Sequence, residues 1–562
     1  MPSFLISGLS SVGFKDWCEL CRESGSFFRD YAAREINVLL WISLIAITAL
    51  LLRKIAALLN LWAKGRKIPG PPCPSFHGHS KLISGARSGE NLNEFLFKSH
   101  KKYGSIVGLW LGPTQLLVSV KDLTLIKEVL EKAEDKLPLT GRAFRLAFGQ
   151  SSLFVSSYEK VRHRRESLAL QLNGKLLERA SAVSLKVVDC VTERMDSIMA
   201  KGLLDCRSFS QHMSFSILGA TLFGESFLSW SDAITYEELL MMIAKDACFW
   251  ASYNVPPVWN RGFWRYRHLC TKLKCLTQDI IQHYKQTHNS LDHMNATFKD
   301  ETAWNACGTV SPDDKMPNDS ILEALNNKLD HREELSGNIM GVMLHGCLTT
   351  AGLVGSILTR LVMHPEIQDK IYSELVSICN TSKPEASDVQ KMTFLLATVY
   401  EAARLLPAGP LLQRCSLKHD LTLKNGVTVP AGAIVVVPLQ LVQMDDSSWG
   451  SDANQFNPYR FLSKSVIDET DQVFTSFTDS RGSFILNDLN EKSAFLSFGS
   501  GTRACVGERF VVLAISKMFA HLLQQFEVRL QPGCEDHPKP TVNDCVLELL
   551  PSPKIVLVRR NS

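Results

Sequence analysis

A ten-residue segment near the C-terminus, residues 498–507, constrains the fold of this chain more than any other. It reads Phe-Gly-Ser-Gly-Thr-Arg-Ala-Cys-Val-Gly and so gathers one cysteine, one arginine and three glycines between apolar stretches. Glycine adopts positive φ at no steric cost, so a loop of this composition can turn tightly and aim backbone N–H groups at a sulfur atom. The segment therefore predicts a loop that presents Cys505 as a thiolate ligand of a metal.

The spacing Phe-x-x-Gly-x-Arg-x-Cys-x-Gly closely resembles the haem-ligand loop of the cytochrome P450 family. The resemblance implies that Cys505 is the axial iron ligand of a haem b, and that Phe498, Gly501, Arg503 and Gly507 belong to the haem-binding loop. A thiolate ligand pushes electron density onto haem iron and favours cleavage of the O–O bond.

Two upstream segments occur in the order that this resemblance requires. Glu401 and Arg404 stand three residues apart, on one face of a predicted helix, where they can pair. Arg460 lies in a later Pro-Tyr-Arg segment, residues 458–460. In the family these three charges form a buried ion triad beneath the ligand loop, which implies a structural role here. Residues 431–441, rich in valine and leucine after a proline, predict short strands.

The resemblance covers residues 69–562 and implies the cytochrome P450 fold, mainly α with small β-sheets, in one large haem-binding domain. No linker, repeat or low-complexity tract divides the chain, and 45% of its residues are apolar, enough for a large core. The net charge is +4, with no basic stripe interleaved with aromatic residues. These features argue against a nucleic-acid partner.

Residues 36–52 form an uncharged, mostly apolar run, at the short end of what a membrane-spanning helix needs. Continuation to residue 62 would let Arg53 and Lys54 reach the membrane surface. We therefore predict an N-terminal extension (1–35), a transmembrane anchor (36–62), a basic, proline-rich hinge (63–74) and the catalytic domain (75–562). A buried core helix is the alternative interpretation of the apolar run.

Five basic residues follow the apolar run: Arg53, Lys54, Lys64, Arg66 and Lys67. Positive charge favours the cytosolic side of a membrane, which predicts a single-pass protein with its catalytic domain in the cytosol. By resemblance the membrane is the endoplasmic reticulum, and plastid or other membranes stay open. Prolines in residues 69–74 predict a stiff bend after the anchor.

Haem propionates carry negative charge into an apolar pocket and require arginines. The candidates are Arg503, Arg414 and an arginine of the basic segment 160–165. The family has Trp-x-x-x-Arg in that segment, and the tryptophan is missing here. We favour Arg164 as the propionate ligand, with Arg162 as the alternative.

Residues 335–364 predict one long apolar helix. Its centre reads His345-Gly346-Cys347-Leu348-Thr349-Thr350, where the family has Ala/Gly-Gly-x-Asp/Glu-Thr-Thr/Ser. The resemblance implies that Thr349 and Thr350 handle dioxygen. Leu348 replaces the carboxylate that connects this threonine to solvent, and leucine cannot carry a proton.

His345 is the third candidate catalytic residue, because it lies four residues before Thr349 and histidine titrates near neutral pH. It could relay protons in place of the missing acid, or bind iron as a sixth ligand. The simplest alternative is a core histidine bonded to a neighbouring carbonyl.

Three other segments carry weaker signals. Aromatic residues in 248–264 predict either the roof of a substrate channel near the membrane or ordinary core packing. Residues 286–334 predict a polar connection of low order, and residues 463–492 a surface insertion. The pairs Cys18/Cys21 and Cys270/Cys275 lack the partners of a zinc site, so we expect unpaired thiols.

Together these features predict a membrane-anchored haem-thiolate monooxygenase that inserts one atom of dioxygen into a lipophilic small molecule. Its electrons would come from NADPH through a flavoprotein reductase. The loss of the acid at position 348 leaves a second possibility, an isomerase or dehydratase that needs no reductase. His345 as a sixth ligand leaves a third, a non-enzymatic haem sensor.

Overall fold

A computed structural model describes residues 14–73, 78–79, 92–132, 147–149, 152–199, 204–251, 259–298, 332–380, 382–407, 411–415, 419–462, 494–531 and 554–560. Within it the chain divides into two compact units, Met1–Lys67 and Ile68–Ser562.

The described part of the first unit contains one helix, α1 (Phe14–Gly65). Its portion Arg34–Gly65 has a mean hydropathy of 2.2 over its most apolar window and is long enough to cross a membrane. Large apolar side chains along it are exposed, Leu39 and Trp41 to more than 60%. Since no proline or glycine interrupts residues 53–64, α1 continues past residue 62, the predicted end of the anchor, to Gly65. It stops before Pro69.

The second unit is mainly helical, as the sequence predicted. Its helices are α2 (Leu92–Tyr103), α3 (Leu123–Lys132), α4 (Tyr158–Asn173), α5 (Lys175–Met199), α6 (Cys206–Phe223), α7 (Ala233–Ala251), α8 (Arg261–Phe298), α9 (Arg332–Met363), α10 (Pro365–Cys379), α11 (Ala386–Lys391), α12 (Thr393–Leu405), α13 (Leu439–Gln443), α14 (Asp446–Trp449) and α15 (Glu508–Gln525). Short 3₁₀ turns lie at Glu225–Ser229, Pro458–Phe461 and Gly501–Arg503.

The strands form small sheets at the margins of the helical core. They are β1 (Ile106–Trp110), β2 (Leu116–Val120), β3 (Leu204–Asp205), β4 (Leu411–Cys415), β5 (Leu421–Thr422), β6 (Thr428–Val429), β7 (Ile434–Pro438), β8 (Phe526–Leu530) and β9 (Lys554–Arg559). One sheet has the order β1-β2-β7-β4, parallel only between β2 and β7. The others are β3-β9-β8 and β5-β6.

Helix α9 runs through the core and packs along α6. A Cβ atom on Gly346 would lie 2.6 Å from Cδ2 of Leu218, so the glycine permits this close approach of the two helices. The predicted helix 335–364 is confirmed in outline. It ends at Met363 because Pro365 opens α10 and disfavours helical backbone in the residue before it.

Two predictions of local structure need correction. The connection predicted from residue 286 does not begin there, because α8 continues as helix to Phe298. Its polar residues form the later turns of a long helix. Of the predicted strands at 431–441, only β7 forms, and the chain turns directly into α13. The rest of the connection, residues 299–331, and the insertion at 463–492 lie outside the described residues.

The ion triad predicted beneath the ligand loop is confirmed. The guanidinium of Arg404 donates to both carboxylate oxygens of Glu401, at 2.7 and 2.8 Å, and both side chains are fully buried. Arg460 donates to Glu401 Oε1 at 3.2 Å and to Asp452 Oδ2 at 2.8 Å. Arg404 also donates to the carbonyls of Gln443 and Ala453, each at 2.6 Å. These hydrogen bonds offset part of the free-energy cost of burying the guanidinium cation.

Candidate active site

The loop around Cys505 is tightly turned by two glycines with positive φ, Gly499 at 78° and Gly501 at 70°. The Cys505 N–H donates to the carbonyl of Phe498 at 2.8 Å and so closes the loop on itself. The Cys505 side chain is exposed, and Gly507 is the N-cap residue of α15. The loop therefore presents a thiol from a rigid turn rather than burying it.

Helix α3 holds the loop from one side. A Cβ atom on Gly501 would lie 2.7 Å from the backbone oxygen of Leu130, so only glycine allows this approach at positive φ. On the other side the Phe498 ring packs edge-on to Tyr400, with centroids 6.3 Å apart, and against Phe495.

Buried hydrogen bonds connect the ion triad to the same loop. The side-chain amide of Gln443 donates to the Arg404 carbonyl at 2.9 Å. Its oxygen accepts from the Leu496 N–H at 3.0 Å and from the Ser497 hydroxyl at 2.9 Å. The triad therefore fixes the start of the loop through Gln443.

Two arginines contact the loop and its surroundings. Arg503 is only 6% exposed, donates to the Ser156 carbonyl at 3.2 Å, and lies 5.2 Å from the centroid of the Tyr158 ring. Arg165 of α4 donates to the carbonyl of Ala504, next to the cysteine, at 2.8 Å. Burial lowers the pKa of Arg165, and the nearby thiol of Cys505 acts in the opposite direction. A thiolate at Cys505 would thus face a cation.

The middle of α9 has one less buried face, formed by His345, Gly346, Thr349 and Thr350. The intervening Cys347 and Leu348 are buried. The Thr349 hydroxyl donates to the backbone oxygen of His345 at 2.6 Å. This is the bond to the carbonyl four residues back that competes with the helix ladder.

The segment 152–158 joins this face of α9 to the cysteine loop. Leu153 N–H donates to Asn338 Oδ1 of α9 at 2.8 Å, and the Phe154 ring stacks on His345 with centroids 4.8 Å apart. A few residues on, Ser156 accepts the hydrogen bond from Arg503. One short segment thus brings the helix carrying Thr349 and the loop carrying Cys505 together.

This arrangement fits a haem. An exposed thiol on a glycine turn, a buried arginine two residues before it and a threonine on a helix that residues 152–158 connect to this turn are groups that a thiolate-ligated haem needs. Across residues 68–558 the chain matches the family model described as Cytochrome P450. The chain belongs to the cytochrome P450 family.

Curated relatives agree with this assignment. The chain is 24% identical over 507 residues to "Cytochrome P450 734A1" of Arabidopsis thaliana, covering 85% of this chain and 90% of that protein. It is 26% identical to "Cytochrome P450 72A397" of Kalopanax septemlobus, covering 79% and 80%. It is 25% identical to "11-oxo-beta-amyrin 30-oxidase" of Glycyrrhiza uralensis, covering 77% of each.

The protein is thus a cytochrome P450 monooxygenase with a haem cofactor and haem-thiolate chemistry. Members of this family generally rely on redox partners and act on hydrophobic substrates. When bound, the haem activates dioxygen, and the protein supplies the ligand, the positioning and the control of protons.

The other predicted site residues of this cytochrome P450 are placed as follows. Arg164 is half-buried on α4, whereas Arg162 is 61% exposed and pairs with Glu166 at 2.9 Å. Arg414 lies in β4 opposite Val435. The position of its side chain lies outside the described residues.

Sequence reasoning missed two groups at the site. Arg165 was one of several basic residues in its segment, and only the fold shows that it reaches the Ala504 carbonyl. Phe154 gave no signal either, since its stacking on His345 joins positions almost 200 residues apart. The Phe154 ring stacks on one face of the His345 imidazole and so restricts its orientation.

We expect Gly337→Ala to disrupt the packing of the backbone at Phe148 against α9. A Cβ atom on Gly337 would lie 2.0 Å from the Phe148 carbonyl oxygen, so backbone must move. Such overpacking costs about 1–3 kcal/mol. The urea midpoint should fall accordingly. Gly355→Ala on the same helix is the matched control, because its Cβ would meet Ser210 Oγ at an ordinary 3.4 Å and alanine favours helix. Equal midpoints for the two variants would contradict the docking.

Proposed function

We propose that this cytochrome P450 is a membrane-anchored monooxygenase that receives electrons from NADPH through a flavoprotein reductase. It inserts one oxygen atom of O₂ into a lipophilic small molecule, using haem b held by Cys505. The observation that carries the proposal is the exposed thiol of Cys505 on a glycine turn, joined through segment 152–158 to the helix face that bears Thr349.

We assign the haem-binding residues the following roles in this proposal. Cys505 binds the iron, and Phe498, Gly501 and Gly507 shape the loop around it. Arg503, Arg414 and Arg164 bind the propionates. The exposure of Arg162 and its pair with Glu166 support the choice of Arg164.

The distal residues manage dioxygen and protons. Thr349 and Thr350 lie on the less buried face of α9, and the bond of the Thr349 hydroxyl to the His345 carbonyl leaves its oxygen able to accept a second hydrogen bond. His345, held against Phe154, is a proton-relay candidate on the same face.

The anchor of the proposed enzyme is the apolar part of α1, a single span in the endoplasmic reticulum membrane with the catalytic domain in the cytosol. The exposed apolar side chains of Arg34–Gly65 and the basic residues after residue 52 support this orientation. The proposed division of the chain stays at 1–35, 36–62, 63–74 and 75–562.

The test is reconstitution of the full chain in membranes with an NADPH-dependent flavoprotein reductase, followed by a screen of lipophilic compounds. We expect some compounds to shift the resting haem spectrum by displacing water, and those same compounds to be hydroxylated with consumption of NADPH and O₂. Carbon monoxide should inhibit the reaction.

Two outcomes would contradict the proposal. Product formed from a hydroperoxide without reductase, and none with it, would favour the isomerase or dehydratase, which the buried Leu348 at the acid position keeps as a candidate. A resting spectrum with nitrogen ligation that disappears in His345→Ala would favour a sensor.

A further inference from the structure

Two adjoining clefts lie apart from the residues assigned to the haem. The inner cleft, of about 160 Å³, lies between α5, α6, the 3₁₀ turn Glu225–Ser229 and the start of α7. The outer cleft, of about 400 Å³, lies between α5 and the same turn. The described residues that line them include none of α9 and none of residues 494–508.

The two clefts form one continuous space. Both are lined by Cys190 of α5 and by Leu228 and Ser229 of the turn. Their combined volume falls within the range of about 300–1,000 Å³ that is typical of small-molecule sites.

The walls of the inner cleft are mostly apolar and aromatic. They include Val187, Val191, Phe215, Phe227, Trp230 and Ile234. The Trp230 ring lies against Phe227, with centroids 5.8 Å apart, and Ile234 is 63% exposed. A ligand with an apolar body would be removed from water here, which favours binding.

One buried hydroxyl on the inner cleft is available to a ligand. Ser210, Ser214 and Thr221 of α6 are buried, and each donates to the carbonyl four residues back, at 2.7, 2.8 and 2.6 Å. Ser216, on the same helix, is 6% exposed and lines the cleft. Its hydroxyl makes no such bond and has no other hydrogen-bond partner among the described residues.

Glu237 provides the charge of the inner cleft. Its side chain is 17% exposed, and its Oε2 lies 3.1 Å from His212 Nδ1. A carboxylate only accepts hydrogen bonds, so Nδ1 carries the hydrogen. Oε1 has no hydrogen-bond partner in the part of the chain that the structure describes. Because Ser216 follows His212 by one helical turn, its hydroxyl lies on the face of α6 that meets Glu237.

The charges of the outer cleft are already paired. Lys186 Nζ bonds to the Glu225 carboxylate, and Lys383 Nζ donates to Asp189 Oδ2 at 2.9 Å. The described lining of the inner cleft contains no lysine or arginine. Glu237 is therefore a carboxylate among aromatic walls with an oxygen open to a ligand. Coulomb attraction and the negative faces of the rings both favour a cation there.

We propose that the inner cleft is a second small-molecule site of this protein, separate from the haem site, and that it binds a lipophilic primary amine in its protonated form. The ammonium group donates to Glu237 Oε1 and to the Ser216 hydroxyl. The apolar body lies against Phe215, Phe227 and Trp230, and the outer cleft is the route of entry. Binding needs neither haem nor reductase, so the site does not depend on the proposed function.

The test uses phenethylamine as the probe and protection of Cys190 as the readout. The Cys190 thiol is exposed and lines both clefts. The full chain in membranes is alkylated with N-ethylmaleimide at increasing amine concentration, and mass spectrometry of its peptides gives the rate at each cysteine. We expect the amine to slow alkylation of Cys190 in a saturable manner. Cys275, exposed on α8, is the matched control and should keep its rate.

Two substitutions test the contacts with the ammonium group. Glu237→Gln keeps the size of the side chain but removes its charge, so the amine concentration that gives half protection should rise at least about 10-fold. Ser216→Ala removes a neutral hydrogen-bond partner and should raise it about 2–10-fold. Glu238→Gln, exposed on the same helix as Glu237, should match wild type.

Phenethyl alcohol tests the charge without any substitution. It differs from the amine only in carrying a hydroxyl in place of the ammonium group. We expect it to protect Cys190 of wild type about as weakly as the amine protects Glu237→Gln.

Three results would overturn the inference. The first is an absence of Cys190 protection by the amine up to its solubility limit. The second is equal protection of wild type by the amine and the alcohol, which needs no variant and decides the question even if Glu237→Gln fails to fold. The third is an unchanged half-protection concentration in both Glu237→Gln and Ser216→Ala.

Discussion

Cys505→Ala is expected to lose the red-shifted carbon monoxide band of the reduced protein completely, together with reductase-dependent turnover. In the proposed assignment the Cys505 thiolate would bind the haem iron, and alanine has no atom to replace it. The measurement is the absorption spectrum of the membrane-expressed protein, reduced under carbon monoxide. Cys505→Ser nearly preserves the side-chain volume in the loop. If this variant also loses the band, unfolding caused by a smaller side chain does not explain the loss.

The matched control is Cys275→Ala, which removes another exposed cysteine, on α8. It should leave the spectrum unchanged. An intact red-shifted band in both Cys505 variants would show that a different residue binds the iron, and the assignment of the loop would be wrong.

Of the proposed substitutions, Glu401→Gln is expected to lower the free energy of unfolding the most. The substitution leaves the fully buried Arg404 without its bidentate carboxylate and also removes one of the two carboxylates that pair with Arg460. Breaking a buried ion pair by removing one partner costs about 3–5 kcal/mol. That is a large part of the 5–15 kcal/mol or so that typically separates folded from unfolded protein. We expect a strongly reduced urea midpoint and a low yield of haem-loaded protein, since Gln443 connects this site to the cysteine loop.

Glu527→Gln provides the control for this prediction. Glu527 bonds to Arg529 at 2.7 Å, the same distance as in the buried pair, but the arginine is 58% exposed. Surface pairs contribute about 0–1 kcal/mol, so the midpoint should hardly move. Comparable losses in the two variants would mean that burial of the triad does not matter.

Local patterns predicted much of this protein. The spacing of residues 498–507 identified the family, and the i, i+3 pair of Glu401 and Arg404 predicted contacts three residues apart that any helix provides. The long run of apolar residues predicted α9, and Pro365 set its end. These signals are local, because helical geometry and proline stereochemistry act over a few residues.

Other predictions were limited because sequence patterns report only on residues that are close together in the chain. Polar composition suggested a connection from residue 286, but α8 persists to Phe298, because helix can continue through polar residues when no proline or glycine stops it. The choice between Arg162 and Arg164 could not be made from their spacing, since it depends on which side of α4 faces the cysteine loop.

The sequence by itself determined the family, the mainly helical class, the cysteine and the charged triad, because each is written in a short pattern of residue types. Only the tertiary structure decided what surrounds those groups. It placed Arg165 on the cysteine loop and Phe154 on His345. Each of these contacts joins residues more than 150 positions apart, and only the packing of the chain brings such residues together.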